Sequence, residues 1–197
     1  MFSKGEFQNI KDRYGECASW AIWNKEDESD TKIIEEQLEN LHSEYVGIGL
    51  NISQKVSLWG NFRGGKHDRK LKYAFNHTKI RGSYLTDLIK NVVGKNSSEI
   101  LRKVKNREIN IDVHVDSFKE EMKDLKIDDS SKFLVFGSAA RELFESHYEK
   151  HFPENKAYFL KHYSSRGTDE EWVTNVCDRL NVDEDFDTVL SKYRYKK

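Results

Sequence analysis

The sequence predicts an α/β protein with three layers, α/β/α, built on a mostly parallel four-stranded central sheet. Three observations predict it. Residues 45–50, 82–89, 132–137 and 157–162 form short, β-rich apolar runs, too brief for helices. The segments between them carry apolar residues at helical spacing, and strands alternating with helices form parallel sheets covered on both faces. The residues at the ends of the runs, Asn51, Asp87, Gly137-Ser138 and His162-Ser165, are glycine or mostly polar, and in such sheets ligands bind beyond the carboxyl ends of strands.

The elements follow in order. Residues 1–43 read as an N-terminal helical segment packed on a core of residues 44–180, all within a single 197-residue domain. That segment includes the apolar stretch Cys17-Ala18-Ser19-Trp20-Ala21-Ile22-Trp23, which covers the sheet or closes one wall of a pocket. Thr31 is placed to cap a helix over 32–42, where Ile33, Ile34, Leu38 and Leu41 share a face. The glycine-rich run 45–50 reads as a buried strand, followed by the loop Trp59-Gly60-Asn61-Phe62-Arg63-Gly64-Gly65 and a helix over 68–76. A strand at 82–89 precedes a helix to Lys105 capped by Ser97 or Ser98. The helix at 112–126 sets Val115, Phe118, Met122 and Leu125 on one face. Residues 132–137 are the clearest strand, with a helix over 139–148 behind it. A strand at 157–162 precedes the capping-box pair Thr168 and Glu171, which opens a helix to Leu180.

Composition narrows the classes of function. With 33 Lys+Arg against 34 Asp+Glu, the net charge of −1 excludes a generally basic nucleic-acid binder, so any phosphate contact must come from a local patch. Aromatic residues make up 12% of the chain, which argues against disorder. Cys17 and Cys177 are far apart, which excludes a four-cysteine metal site and a disulfide scaffold. Asp112-Val113-His114-Val115-Asp116 holds ligand residue types but reads as a surface segment, so no metal or cofactor is expected. No run is long enough to span a membrane and no signal-peptide core is visible, giving an expectation of a cytoplasmic protein.

The strand ends, taken together, resemble the uracil-DNA glycosylase superfamily. Gly49-Leu50-Asn51-Ile52-Ser53 is similar to its first motif, commonly Gly-x-Asn-Pro, and Thr86-Asp87-Leu88-Ile89-Lys90 to a strand often ending Thr-Asn-Leu-Val-Lys. Phe133 to Ala140 resembles its Leu-Val-Leu-Gly strand and following helix, and His162-Tyr163-Ser164-Ser165-Arg166 its final His-Pro-Ser motif. The similarity spans residues 44–180 in order. Ile52 and Tyr163 stand where the motifs carry proline, which leaves those loops without that preorganisation.

The resemblance implies that Asn51 orients a water and that His162 donates a hydrogen bond to a departing base, making these two the candidate catalytic residues. Asn51 also suits a strand-ending turn, and His162 ordinary loop packing. Asp87 would read the base edge. An ionised carboxylate only accepts, so it suits an exocyclic amino group better than the uracil O4; a structural ion pair with Lys90 or Arg81 is the other reading. Trp59 and Phe62 would stack on the base, with Gly49 and Ser53 completing its pocket. Ser164, Ser165, Arg166, Arg63 and Lys66 would meet phosphates, while Arg69, Lys70 and Lys72 extend the basic run. The acidic stretch 183–187 belongs on another face.

The implied function is recognition of a base in DNA or of a nucleotide, with hydrolysis of the N-glycosidic bond of a damaged or mismatched base as the reaction. The alternative is a catalytically inactive module of the same fold that binds nucleic acid, a nucleotide or a protein.

Overall fold

A computed structural model describes residues 2–76 and 78–181. Five strands form one mixed sheet: β1 (Ser19–Trp20), β2 (His42–Asn51), β3 (Ser83–Ile89), β4 (Lys132–Phe136) and β5 (Lys156–Leu160), in spatial order β1-β3-β2-β4-β5. The four strands β3, β2, β4 and β5 are parallel, and β1 runs antiparallel to β3 at the edge. The expected four-stranded sheet thus gains a fifth strand. Two residues cannot display an alternating pattern, and β1 is held by its ladder with β3, extended by Ala21 N donating to Ser83 O at 2.7 Å.

Among the described residues, seven α-helices flank the sheet: α1 (Lys4–Tyr14), α2 (Lys32–Glu36), α3 (Arg69–Phe75), α4 (Ser97–Lys105), α5 (Ile111–Asp124), α6 (Ser138–Leu143) and α7 (Asp169–Leu180). Local chemistry sets their starts. Ser3 with Glu6, and Thr168 with Glu171, close capping boxes on α1 and α7. Asn96 and Asn110 cap α4 and α5, so the α4 cap precedes the serines expected to supply it.

Two expected helices are shorter. The helix over 32–42 stops at Glu36 and passes through a 3-10 turn at Leu38–Asn40, and Thr31 makes no side-chain cap. The reason is tertiary: His42 already pairs with Ser83 as the first residue of β2. The helix over 139–148 becomes a π-helical turn at Phe144–Tyr148. The wider turn lets Phe144 and Tyr148 both face the core, stacked 6.3 Å apart, with the Tyr148 hydroxyl donating to Leu88 O.

The pleat sorts the core into two layers. Val46, Ile48, Tyr84, Phe133 and Val135 pack with α1, α5 and α6; Tyr45, Leu85, Leu134, Phe136 and Leu160 pack with α3 and α7. Helix α3, which follows β2, lies on one face, and α6, which follows β4, on the other. The chain therefore leaves adjacent strands in opposite directions, and a crevice opens between their carboxyl ends. No helix among the described residues is long and apolar enough to cross a membrane. The acidic stretch 183–187 lies outside the described residues.

Beneath the sheet, Glu121 of α5 is fully buried. Its Oε1 accepts from the Tyr84 and Thr86 hydroxyls at 2.9 Å each, and its Oε2 pairs with Lys90 Nζ at 2.6 Å. Removing one partner of a buried pair leaves an uncompensated charge. Glu121→Ala is therefore expected to lower unfolding free energy by about 3–5 kcal/mol, read from the urea midpoint.

Candidate functional site

A cleft of about 480 Å³ lies at the carboxyl ends of the parallel strands, within the size range of small-molecule sites. Its walls come from the end of β2, the loop after it, Asp87 of β3, the β4–α6 turn and the loop after β5. Of the residues singled out in the sequence, Gly49, Asn51, Ser53, Phe62, Arg63, Lys66, Asp87, His162, Ser164 and Ser165 line it.

Asn51 closes β2. Its Nδ2 donates to three backbone carbonyls, Ile52 at 2.8 Å, Gly94 at 2.9 Å and Val92 at 3.0 Å. Three acceptors around one nitrogen settle the amide orientation and leave Oδ1 as the atom available to a water or ligand.

Asp87 sits opposite, 3% exposed. It pairs with neither Lys90 nor Arg81: Lys90 turns to Glu121 and Thr86, and Arg81 to Gln37. Its Oδ2 instead accepts from Asn61 Nδ2 at 2.7 Å. A Cβ at Gly49 would collide with Asp87 Oδ1, so the carboxyl occupies the space that the glycine leaves. Burial pushes the Asp87 pKa up to about 6, opposed by the Asn61 hydrogen bond and by Lys90.

His162 approaches from β5, across Gly137. With φ +89, Gly137 takes a conformation that disfavours other residues, and a Cβ there would stand 3.0 Å from His162 Cβ. Ser164 N donates to His162 Nδ1 at 3.1 Å. A neutral ring that accepts at Nδ1 carries its proton on Nε2, so His162 offers an N–H. Burial, and then His67, lower its pKa and favour that neutral form. Tyr163 stacks on the ring at 4.3 Å, backed by Phe62, Phe136 and Trp172.

Two expected site residues, Trp59 and Arg166, lie elsewhere, and a third, Arg63, lines the cleft but turns its charged end away from it. Trp59, expected to stack on a base, is 1% exposed and packs against Phe7 and Trp20 in the core. Arg63, expected to meet phosphate, turns inward: its guanidinium donates to Ser19 Oγ at 3.1 Å, Trp20 O at 3.0 Å, Asp30 O at 3.3 Å and Ile22 O. It serves the carbonyls of the N-terminal segment, which its fixed fork of donors suits. Arg166 lies outside the main cleft, on a neighbouring hollow of about 90 Å³ with Lys70 and Lys161. The cations of α3 are likewise engaged: Arg69 pairs with Asp169 at 2.6 Å and Lys72 with Glu28 at 3.0 Å, and Lys70 donates to Gly167 O at 3.2 Å.

Asn61, His67, Asp68, Lys95 and Tyr163 also line the cleft, without having been singled out for it. For Asn61 the available signal was an amide set among Trp59, Gly60 and Phe62 in a loop that follows a strand end. No family model, curated protein or solved structure matches the chain.

The buried carboxyl has a measurable cost. A folded-state pKa near 6, against an ordinary value near 3.9, gives stability that is present below about pH 4 and lost as pH rises through 6. Asp87→Asn removes that loss. It is expected to stabilise the fold by about 2–3 kcal/mol at pH 8 and by nothing at pH 4, read as urea midpoints at the two pH values.

Proposed function

We propose that the chain has a uracil-DNA glycosylase-like fold and that the cleft receives a nucleobase turned out of DNA, where the N-glycosidic bond is hydrolysed. The observation that carries this reading is that Asn51, Phe62, Asp87 and His162, drawn from four separate segments, face one cleft with complementary chemistry.

Each group has a part. Phe62 is held edge-on to Phe136 and offers an apolar surface to a base. The free oxygen of Asp87 accepts from an exocyclic amino group on the base edge. Asn51 Oδ1 holds a water for attack on the sugar carbon. Asn51 is no strong base, so the water adds as the bond to the base is already breaking. The electron pair of that bond leaves with the base, His162 Nε2–H stabilises the charge developing there, and the proton lost by the added water passes to solvent, from which the departed base is protonated. A neutral imidazole suits this work, because it donates without needing a proton from solution. Lys66, Lys95, Ser164 and Ser165 at the cleft supply donors for the flanking phosphates, a local patch on a chain of net charge −1.

The test is an abasic-site assay on duplex and single-stranded oligonucleotides carrying uracil, hypoxanthine, xanthine or mismatched normal bases. Abasic product is expected from at least one substrate, with Asn51→Ala and His162→Ala each lowering the rate by roughly 10²–10³. Salt-sensitive binding with no abasic product would replace hydrolysis by the inactive binding module, and indifference to every oligonucleotide would end the reading.

A further inference from the structure

We infer that Asn61 is a positioning residue that sets which base edge the cleft accepts, by holding one oxygen of Asp87 and the backbone of Phe62 with a single amide. The inference rests on the reading of the cleft as a base pocket.

Asn61 is 7% exposed and uses its whole amide internally. Nδ2 donates to Asp87 Oδ2 at 2.7 Å and to Cys17 O at 2.9 Å, while Oδ1 accepts from Phe62 N at 3.0 Å. Turning the amide over would set oxygen against two acceptors and NH₂ against an N–H, so one orientation is possible. Asn61 therefore has nothing left for a ligand. It acts through its neighbours: it leaves Asp87 Oδ1 as the oxygen for the base, and it anchors Phe62, whose backbone has a left-handed φ of +60.

The groups around Asp87 leave this role to Asn61. Lys90, on the same strand end, is committed to Glu121 of α5. Cys17 and Tyr163, which feel the Asp87 charge from the N-terminal segment and the loop after β5, are both held in their neutral forms by burial. Asn61 is the hydrogen-bond donor to Asp87 among the described residues, and its bond favours the ionised, accepting carboxylate. An accepting oxygen selects an amino group; the protonated acid would instead donate to a carbonyl oxygen.

Cytosine and uracil test this cleanly, since their edges differ by an amino group against a carbonyl oxygen at ring position 4 and by the protonation of the adjacent ring nitrogen. Binding of each free base to the full chain is followed by saturation-transfer NMR from pH 5 to 9. The wild type is expected to prefer cytosine by roughly tenfold at pH 8, and to lose that preference as pH falls below 6. Asn61→Asp keeps the side-chain size and the bond from Phe62 N but exchanges the donor for a second carboxyl. Two carboxyls then share one proton, and the loss of preference is expected to begin at least one pH unit higher.

A second variant guards against a failure of Asn61→Asp to fold. Asp87→Asn leaves Asn61 Nδ2 donating to the new amide's oxygen and so turns its NH₂ to the cleft, and is expected to prefer uracil at every pH. Asn61→Asp weakening both bases equally at every pH, or Asp87→Asn keeping the wild-type preference, would overturn the inference. A wild type that binds neither base ends the pocket reading itself. The two failures are told apart by a carbon-13 titration of the Asp87 carboxyl, whose midpoint rises in Asn61→Asp whenever the coupling between the two side chains is present.

Discussion

Gly47 and Gly49 leave the middle of β2 without side chains on the face toward α3 and α7, and their neighbours move into that space. A Cβ at Gly47 would press on Leu85 and Phe136; one at Gly49 would meet the Asp87 carboxyl and the Phe62 ring. The other face of the same strand carries Val46, Ile48 and Leu50, which pack into the opposite core layer. A strand whose middle lacks side chains on one face can be buried there and still leave room at its end. That room, between strands whose following helices lie on opposite faces, is where the cleft forms. Gly49 in particular lets the Asp87 carboxyl of β3 come close against the β2 backbone, where it is 3% exposed.

Burying that carboxyl works against folding. Asp87 has an amide for a partner, not a cation, and its raised pKa measures the lost hydration. The contrast with Glu121 is instructive. Both acids are buried, yet Glu121 has a lysine and two hydroxyls, arranged as a structural acid should be. Asp87 keeps an oxygen toward a cleft instead. A group held in an unfavourable state beside an open cavity fits a site selected for binding, at the expense of stability.

Much of the fold was legible from sequence. The four parallel strands have β-rich runs bounded by polar residues, and α7 has its capping box because Thr168 and Glu171 carry the chemistry locally. The strand ends also pointed to the region of the cleft, since parallel strands bring their carboxyl ends to one rim. What could not be read depends on distant partners. Arg63 looks like any cation in a glycine-rich basic loop; that it turns inward depends on carbonyls of Trp20 and Ile22, about 40 residues earlier. Trp59 is buried because Phe7 and Trp20 arrive beside it from the N-terminal segment. Asn61 was passed over for the same reason, as its partners are Cys17 O on one side and Asp87 on the other. Two-residue β1 has too short a pattern to register at all.

Ile52 and Tyr163 stand where the motifs that the strand ends resemble carry proline, and this bears on how rigid the cleft is. Proline fixes one dihedral angle, but a loop can be held by other means. After β2, the Asn51 amide gathers the carbonyls of Ile52, Val92 and Gly94, and its contacts with the last two tie the end of β2 to the loop after β3. After β5, the Tyr163 ring is wedged among His162, Phe62, Phe136 and Trp172, and a proline in its place would give up most of that packing. The ring also stacks flat on the imidazole, fixing the plane from which Nε2–H can point. In the second loop, rigidity that a proline would place in the backbone is placed in a side chain that touches His162 directly. Ile52 and Tyr163 then belong to a cleft preorganised by contacts across it, in which the loops depend on one another more than on their own backbone stiffness.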